Sequence, residues 1–288
     1  MSPDPRALIF SLMLGSAARG DAALGVRELL AACSLFNLPE NNVRVALARA
    51  VAGGQLSTPR RGAYALSAQT RALADEVGRW RSLQAQVVDW RGDWLAVHVG
   101  ATGRSDRPAL RARERAFAML GLAEFERGLH LRPDNLVGGV ASLRQRLAHL
   151  VPAGTEVGTA FVLSALAPAD AARAGALWDA AALDAHYRDT TARLSAWLDG
   201  ARSLPLPRAA RESFELGHAA IRSLVFDPLL PAPLVDAAAR SRFIKTVARF
   251  DDAGQAIWQR FLTRARTAAP AAPAAAPHPS AATEEIDR

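Results

Sequence analysis

An α+β fold in three successive parts is what this sequence predicts, and three observations predict it. Apolar residues recur at helical spacing up to Ala52, where a Gly-Gly pair stops them and two short β-like segments follow. Strand-like and helix-like stretches then alternate from Trp90 to Leu166. From Ala169 the pattern is helical and breaks at prolines. Half of the 288 residues are apolar, enough to bury a sizeable core.

The first part is read over residues 1–68. Arg6–Ala18 and Val26–Phe36 each carry helical apolar spacing. Asn37-Leu38-Pro39 interrupts the chain, and Pro39, lacking an N–H, suits the first turn of a third helix. On that helix Val43, Ala46, Leu47, Ala50 and Val51 share one side. Asn41, Val45, Ala48 and Arg49 project from the opposite side, with Asn42 and Arg44 on its flanks. Gly53-Gly54 stops the helix. Gln55–Thr58 and Ala63–Leu66 then form a hairpin through Pro59-Arg60-Arg61-Gly62. Three helices followed by a basic-tipped hairpin is the order of a winged helix-turn-helix.

From Asn41 to Ala74 there are five arginines (Arg44, Arg49, Arg60, Arg61 and Arg71) and no Asp or Glu. A carboxylate there would repel a phosphate backbone, so a DNA partner gives this gap a physical reason. Asparagine pairs bidentately with adenine, and arginine with guanine or phosphate. The resulting reading puts Asn41, Asn42, Arg44, Val45 and Arg49 in a major groove, with Arg60 and Arg61 on the phosphates alongside. The bland alternative is a helical subdomain with a solvated face.

Residues 69–89 are expected to be a connecting helix, with Trp80 and Leu83 available for packing. In residues 90–167, Asp93–Gly100, Gly128–Arg132 and Val157–Leu166 read as strands, and Pro108–Leu122 and Leu136–Leu150 as helices. That β-α-β-α-β succession predicts a middle ferredoxin-like α/β sandwich domain. Residues 168–266 predict a C-terminal α-helical domain with helices at Ala169–Asp199, Pro207–Val225, Leu234–Arg240 and Ser241–Arg266. Residues 267–288, rich in proline and alanine, have little to bury and are expected to be a disordered tail.

Composition narrows the function. A formal net charge of +7 and a pI near 10.9 favour a polyanionic partner without establishing one. Cys33 is the only cysteine, so no internal disulfide or cysteine metal cluster can form, and its apolar helical setting marks an inert buried thiol. The apolar run Ala7–Leu14 is too short to span a bilayer and reads as a core helix; a cytoplasmic protein with no membrane partner is expected. No GxGxxG or phosphate-loop pattern stands at a strand-to-helix turn, so no cofactor is expected, and no nucleophile elbow suggests an enzyme. His98 and His130 fall on strands that can be neighbours, but no Asp, Glu or Cys stands at ligand spacing beside either, so no metal site is expected.

Three stretches, in order, resemble the PaaX family of bacterial transcriptional repressors. FNLPENNVRVALARAVAGGQLSTPRRGAYALS is similar to that family's recognition helix and wing. DWRGDWLAVHV, LGLAEF and GLHLRP resemble its Trp-x-Gly-x-Trp strand entry, Gly-containing turn and Pro-terminated strand. LVFDPLLPAPLV resembles its Asp-Pro-x-Leu-Pro signature. The resemblance implies a homodimeric repressor of a catabolic operon, bound to a palindromic operator and released by an aryl- or acyl-CoA thioester. The family's namesake governs phenylacetate catabolism and responds to phenylacetyl-CoA. The middle domain resembles the small CRISPR spacer-acquisition nuclease, so a metal-dependent nuclease is the alternative function. That nuclease carries a metal-binding Asp near the end of its first strand, where this chain reads His98-Val99-Gly100-Ala101. The family's Val-Trp-Ile-like strand reads Leu129-His130-Leu131 here.

For such an effector the sequence offers Arg107, Arg111, Arg113 and Arg115 along one helix, able to hold CoA phosphates by bidentate hydrogen bonds. Arg132 and Arg104 near strand ends can assist, and Trp94 can supply an aromatic contact. The competing reading is a solvated helix face, with Trp90 and Trp94 as a core pair joining domains.

Overall fold

The computed structural model describes residues 4–18, 23–100 and 107–267. It begins with α1 (Pro5–Ala18), β1 (Leu24–Gly25), α2 (Val26–Ser34), α3 (Glu40–Ala52), β2 (Leu56–Arg60) and β3 (Ala63–Leu66). The helices form where apolar stripes require them. Leu8, Ile9 and Leu12 of α1, Leu29 and Cys33 of α2, and Val43, Leu47 and Ala50 of α3 share one core. β2 and β3 pair antiparallel, and β1, only two residues long, pairs the other edge of β3. The hairpin turn is tighter than its sequence suggests. Arg60 still pairs with Ala63, so only Arg61 and Gly62 make the turn, with Gly62 at a φ of +74° that favours glycine.

The expected connecting helix is instead α4 (Ala68–Gly78), a 3₁₀ turn (Arg79–Ser82) and α5 (Leu83–Gln86). The break follows Gly78, the weakest helix former in the segment, and it buries Trp80 and Leu83.

Next come β4 (Trp94–His98), α6 (Arg107–Met119), β5 (Ala123–Glu126), β6 (Leu129–Pro133), α7 (Gly139–Leu150) and β7 (Thr159–Leu163). The four strands lie in the order β5-β6-β4-β7, every pair antiparallel. α6 and α7 cover one face, packing Phe117, Leu120, Leu143 and Leu147 on Leu95, Val97 and Ala160. The other face, with Trp94, Ala96 and Leu131, is covered by Ala174, Leu177, Trp178 and Leu234. A central strand covered on both sides has no polar face to show, which is why Trp94–Val97 reads as an unbroken apolar run.

The remainder is helical: α8 (Pro168–Gly175), α9 (Ala180–Gly200), α10 (Leu206–Val225) and α11 (Ala237–Thr267). Two expected divisions are corrected in opposite directions. Ala169–Asp199 is two helices, because the Asp179 carboxylate accepts the Ala182 N–H at 2.9 Å and caps a fresh start. The two helices expected at Leu234–Arg240 and Ser241–Arg266 are one, α11, which starts at Ala237 and is capped by Asp236 accepting the Ala239 N–H at 2.8 Å.

α11 joins the two ends of the molecule. Its Phe243, Val247 and Phe250 pack with Tyr187, Leu194 and Leu224 in the C-terminal core. Further along, Trp258 and Leu262 enter the core of α1–α3, and Arg266 Nε donates to Glu28 Oε1 at 2.6 Å. The apolar interior of the first 68 residues is therefore completed from the far end of the chain. The proline/alanine tail beyond Thr267 and Arg104 lie outside the described residues. Among the described residues no helix is long and apolar enough to cross a membrane.

Candidate nucleic-acid interface

The burial of Val43, Leu47 and Ala50 fixes the roll of α3. At 100° per residue, Val45 then lies opposite the core, with Asn41 and Ala48 to one side and Asn42 and Arg49 to the other. Asn41, Asn42, Arg44, Val45 and Arg49 are all exposed, as are Arg60 and Arg61 at the hairpin tip. Among the described residues Arg49, Arg60 and Arg61 have no hydrogen-bonding or ionic side-chain partner, so their guanidinium groups stand ready for an anion.

Arg44 differs from that picture. Its Nη2 and Nε reach Glu40 Oε1 at 2.5 and 2.9 Å, an exposed i, i+4 pair. A stretch counted from Asn41 misses this carboxylate by one residue, so the positive face is partly compensated at its edge. Exposed pairs of this kind hold weakly and can exchange for phosphate. Beside α3 an open groove of about 700 Å³ runs past Asn42, Val45 and Arg49 to Asp4 and Arg6 of the α1 start. Arg6 Nη2 donates to Gln55 Oε1 at 2.9 Å. Sequence reasoning missed Arg6 because only the fold brings α1 beside α3.

The candidate effector residues separate into two groups. Arg107, Arg111 and Arg115, spaced i, i+4, i+8, are exposed along one face of α6, whereas Arg113 turns inward and reaches the Glu156 carbonyl at 3.4 Å. Arg132 and Trp94 are corrected to structural roles, each only 2 % exposed. Trp94 stacks parallel to Trp178 at 6.4 Å and meets Trp90 edge-on at 5.2 Å. The Arg132 guanidinium donates to the carbonyls of Leu120, Pro133 and Pro228 and to Asn135 Oδ1. Burial, with Arg146 nearby, pulls its pKa down to about 9, which leaves it a cation at neutral pH.

This buried arginine explains the Asp-Pro-x-Leu-Pro stretch. The Asp227 carboxylate accepts the Leu229 N–H at 2.7 Å, and three successive carbonyls, of Pro228, Leu229 and Leu230, accept from Arg132, Asn135 and Arg240. A proline-broken segment cannot satisfy its carbonyls in a helix or sheet, so side chains from the middle and C-terminal parts do so. Where the linker meets these two parts, Arg79, Trp80, Arg132, Arg146, Asp227 and Leu229 line a cavity of about 20 Å³, room for a water molecule.

The two strand histidines do not converge. His98 pairs with Leu129 and His130 with Val97, so alternation puts their side chains on opposite faces of the sheet. His130 packs edge-on against Phe117 at 4.7 Å. No group of three or more His, Cys, Asp or Glu among the described residues is arranged to hold a metal ion. Cys33 is fully buried, and desolvation pushes its thiol up to about 12, consistent with an inert packing group.

Comparison with known proteins places these features. The family model for the PaaX-like protein matches residues 4–70, and that for the PaaX-like protein C-terminal domain matches residues 178–260. Among solved structures, the uncharacterized protein Rv0674 from Mycobacterium tuberculosis is similar, at 25% identity and a TM-score of 0.51. The match covers 87% of this chain and 98% of that one. No curated protein matches. The two family models together span just over half of the chain and include both α3 with its hairpin and the Asp227–Leu230 segment: the chain belongs to the PaaX-like protein family.

Proposed function

We propose that this protein is a DNA-binding transcriptional regulator, acting as a repressor, that reads a palindromic operator as a homodimer. The observation that carries the reading is the outward face of α3, where Asn41, Asn42, Val45 and Arg49 are exposed, together with the exposed arginines of the hairpin tip. The order α1-β1-α2-α3-β2-β3, with strands arranged β1-β3-β2, supports a winged helix-turn-helix in which α3 enters the major groove. Asparagine and arginine edges supply base contacts there, and Arg60 and Arg61 supply phosphate contacts. The βαββαβ order of the middle part and its β5-β6-β4-β7 sheet support a ferredoxin-like sandwich.

One recognition helix reads too few base pairs for selective binding, so a second copy on a repeated half-site is expected. Light scattering of the complex with a full operator should find two chains per duplex; one chain per duplex contradicts the dimer. The effector is an aryl- or acyl-CoA thioester, and Arg107, Arg111 and Arg115 are the exposed guanidinium row suited to its phosphates. The test is selection of bound fragments from the source genome, repeated with a panel of acyl-CoA thioesters as releasing agents. Retention of a discrete set of promoter fragments, and their release by one thioester, is expected. Failure to retain any fragment at near-physiological salt contradicts the reading.

A further inference from the structure

Val45 is out of place by every rule that explains the rest of α3. It lies opposite the buried stripe and is 42% exposed, although valine is a poor helix former and gains little burial there. Its neighbours on that face are Asn41, Asn42 and Arg49, with exposed Ala48 and Ala52 too short to screen it. Opposite the buried stripe, among amides and a guanidinium, the face thus presents a pair of methyl groups. Neither the core nor helix propensity accounts for them.

The major groove supplies an explanation. Its base edges carry hydrogen-bonding groups, and the one methyl among them is the 5-methyl of thymine. We propose that Val45 packs on a thymine methyl at the centre of each half-site, making it the residue that fixes a T·A pair there. This inference rests on the DNA-reading function proposed above. The asparagines at its flanks suit adenine, so the same face favours A·T-containing half-sites. Arginine and asparagine contacts alone would leave that position free, since a hydrogen-bonding edge cannot sense a methyl group.

The test uses the full chain and a synthetic duplex copied from a retained genomic fragment, with each thymine replaced in turn by deoxyuridine. That exchange removes the methyl and keeps every hydrogen-bonding group. One position per half-site is expected to lose affinity by about fourfold, the worth of one buried methyl, while the others stay near unity. With Val45→Ala the same exchange is expected to have no further effect, and the melting temperature of the variant should not fall below the parent's. A flat deoxyuridine panel overturns the proposal while leaving DNA binding intact. So does a penalty that persists in Val45→Ala. If no fragment is retained at all, the DNA-reading function falls, and this inference with it.

Discussion

Asn135 shows how much a single buried amide can hold. Its Nδ2 donates to the Leu229 carbonyl at 2.7 Å, and its Oδ1 accepts from Arg132 at 3.1 Å, with the residue fully buried. Asn135→Ala strands the Leu229 carbonyl and removes one of the acceptors of the buried Arg132, so urea unfolding should show a loss of about 1–3 kcal/mol. Two histidines set a pH dependence. Burial lowers the pKa of His130 below the ordinary 6.5, with Glu124 opposing and Arg113 adding; burial and Arg222 lower His218. Below 6.5 the unfolded chain takes up protons that the folded one resists. Their stabilisation is therefore complete above that pH and is lost as pH falls beneath it. Urea midpoints measured at about pH 7.5 and about pH 5.5 should drop with acid, and the His130→Gln, His218→Gln double variant should drop less. At this scale the sequence misled mainly where direction matters. Arg132 reads as a strand-end surface charge, and Arg44 as unopposed, because neither an inward rotamer nor an i, i+4 partner outside the counted stretch is a property of composition.

Among elements, those with several turns of apolar stripe were legible: α1, α2, α3, α6, α7 and α10 stand close to their expected places. β1 and β5 were not: the two residues of β1 carry too little alternation to register, and β5 offers only Ala123 and Phe125 as apolar positions. α11 was divided wrongly because local pattern does not reveal that one helix serves two cores. Trp258→Ala tests that service. It removes an indole from the α1–α3 core at a cost of about 3–5 kcal/mol, and amide exchange should quicken in α2 and α3 more than in β4 and β6. Uniform quickening would mean that α11 has no special hold on the N-terminal helices. Gly121 tests the clamp between the middle and C-terminal parts. Its φ is +68°, and a Cβ there would stand 2.8 Å from the Pro228 Cα. Gly121→Ala should lower the melting temperature, with about 1–3 kcal/mol from the backbone conformation alone.

In the whole molecule, α1–α3 and the far end of α11 share one core, so the exposed face of α3 is tied mechanically to the C-terminal helices through α11. No sequence window could disclose that link, because its contacts join residues more than 200 positions apart, as Arg266 and Glu28 do across 238. The basic face was legible, since an acid-poor run and a helical stripe are local properties. A face that reads base sequence and one that only attracts polyanions differ in how their affinity responds to salt and to DNA sequence.

The salt dependence of binding decides between these two most directly. Affinity for a retained fragment and for its scrambled copy should be measured across salt for the parent chain, Arg49→Ala and the Arg60→Ala, Arg61→Ala pair. The hairpin pair is expected to weaken both DNAs alike and to flatten the log–log slope by up to about two units, whereas Arg49→Ala should weaken mainly the retained fragment. Equal losses on both DNAs for both variants, or a slope unmoved by removing the hairpin arginines, would contradict the claim that α3 and its hairpin read a duplex.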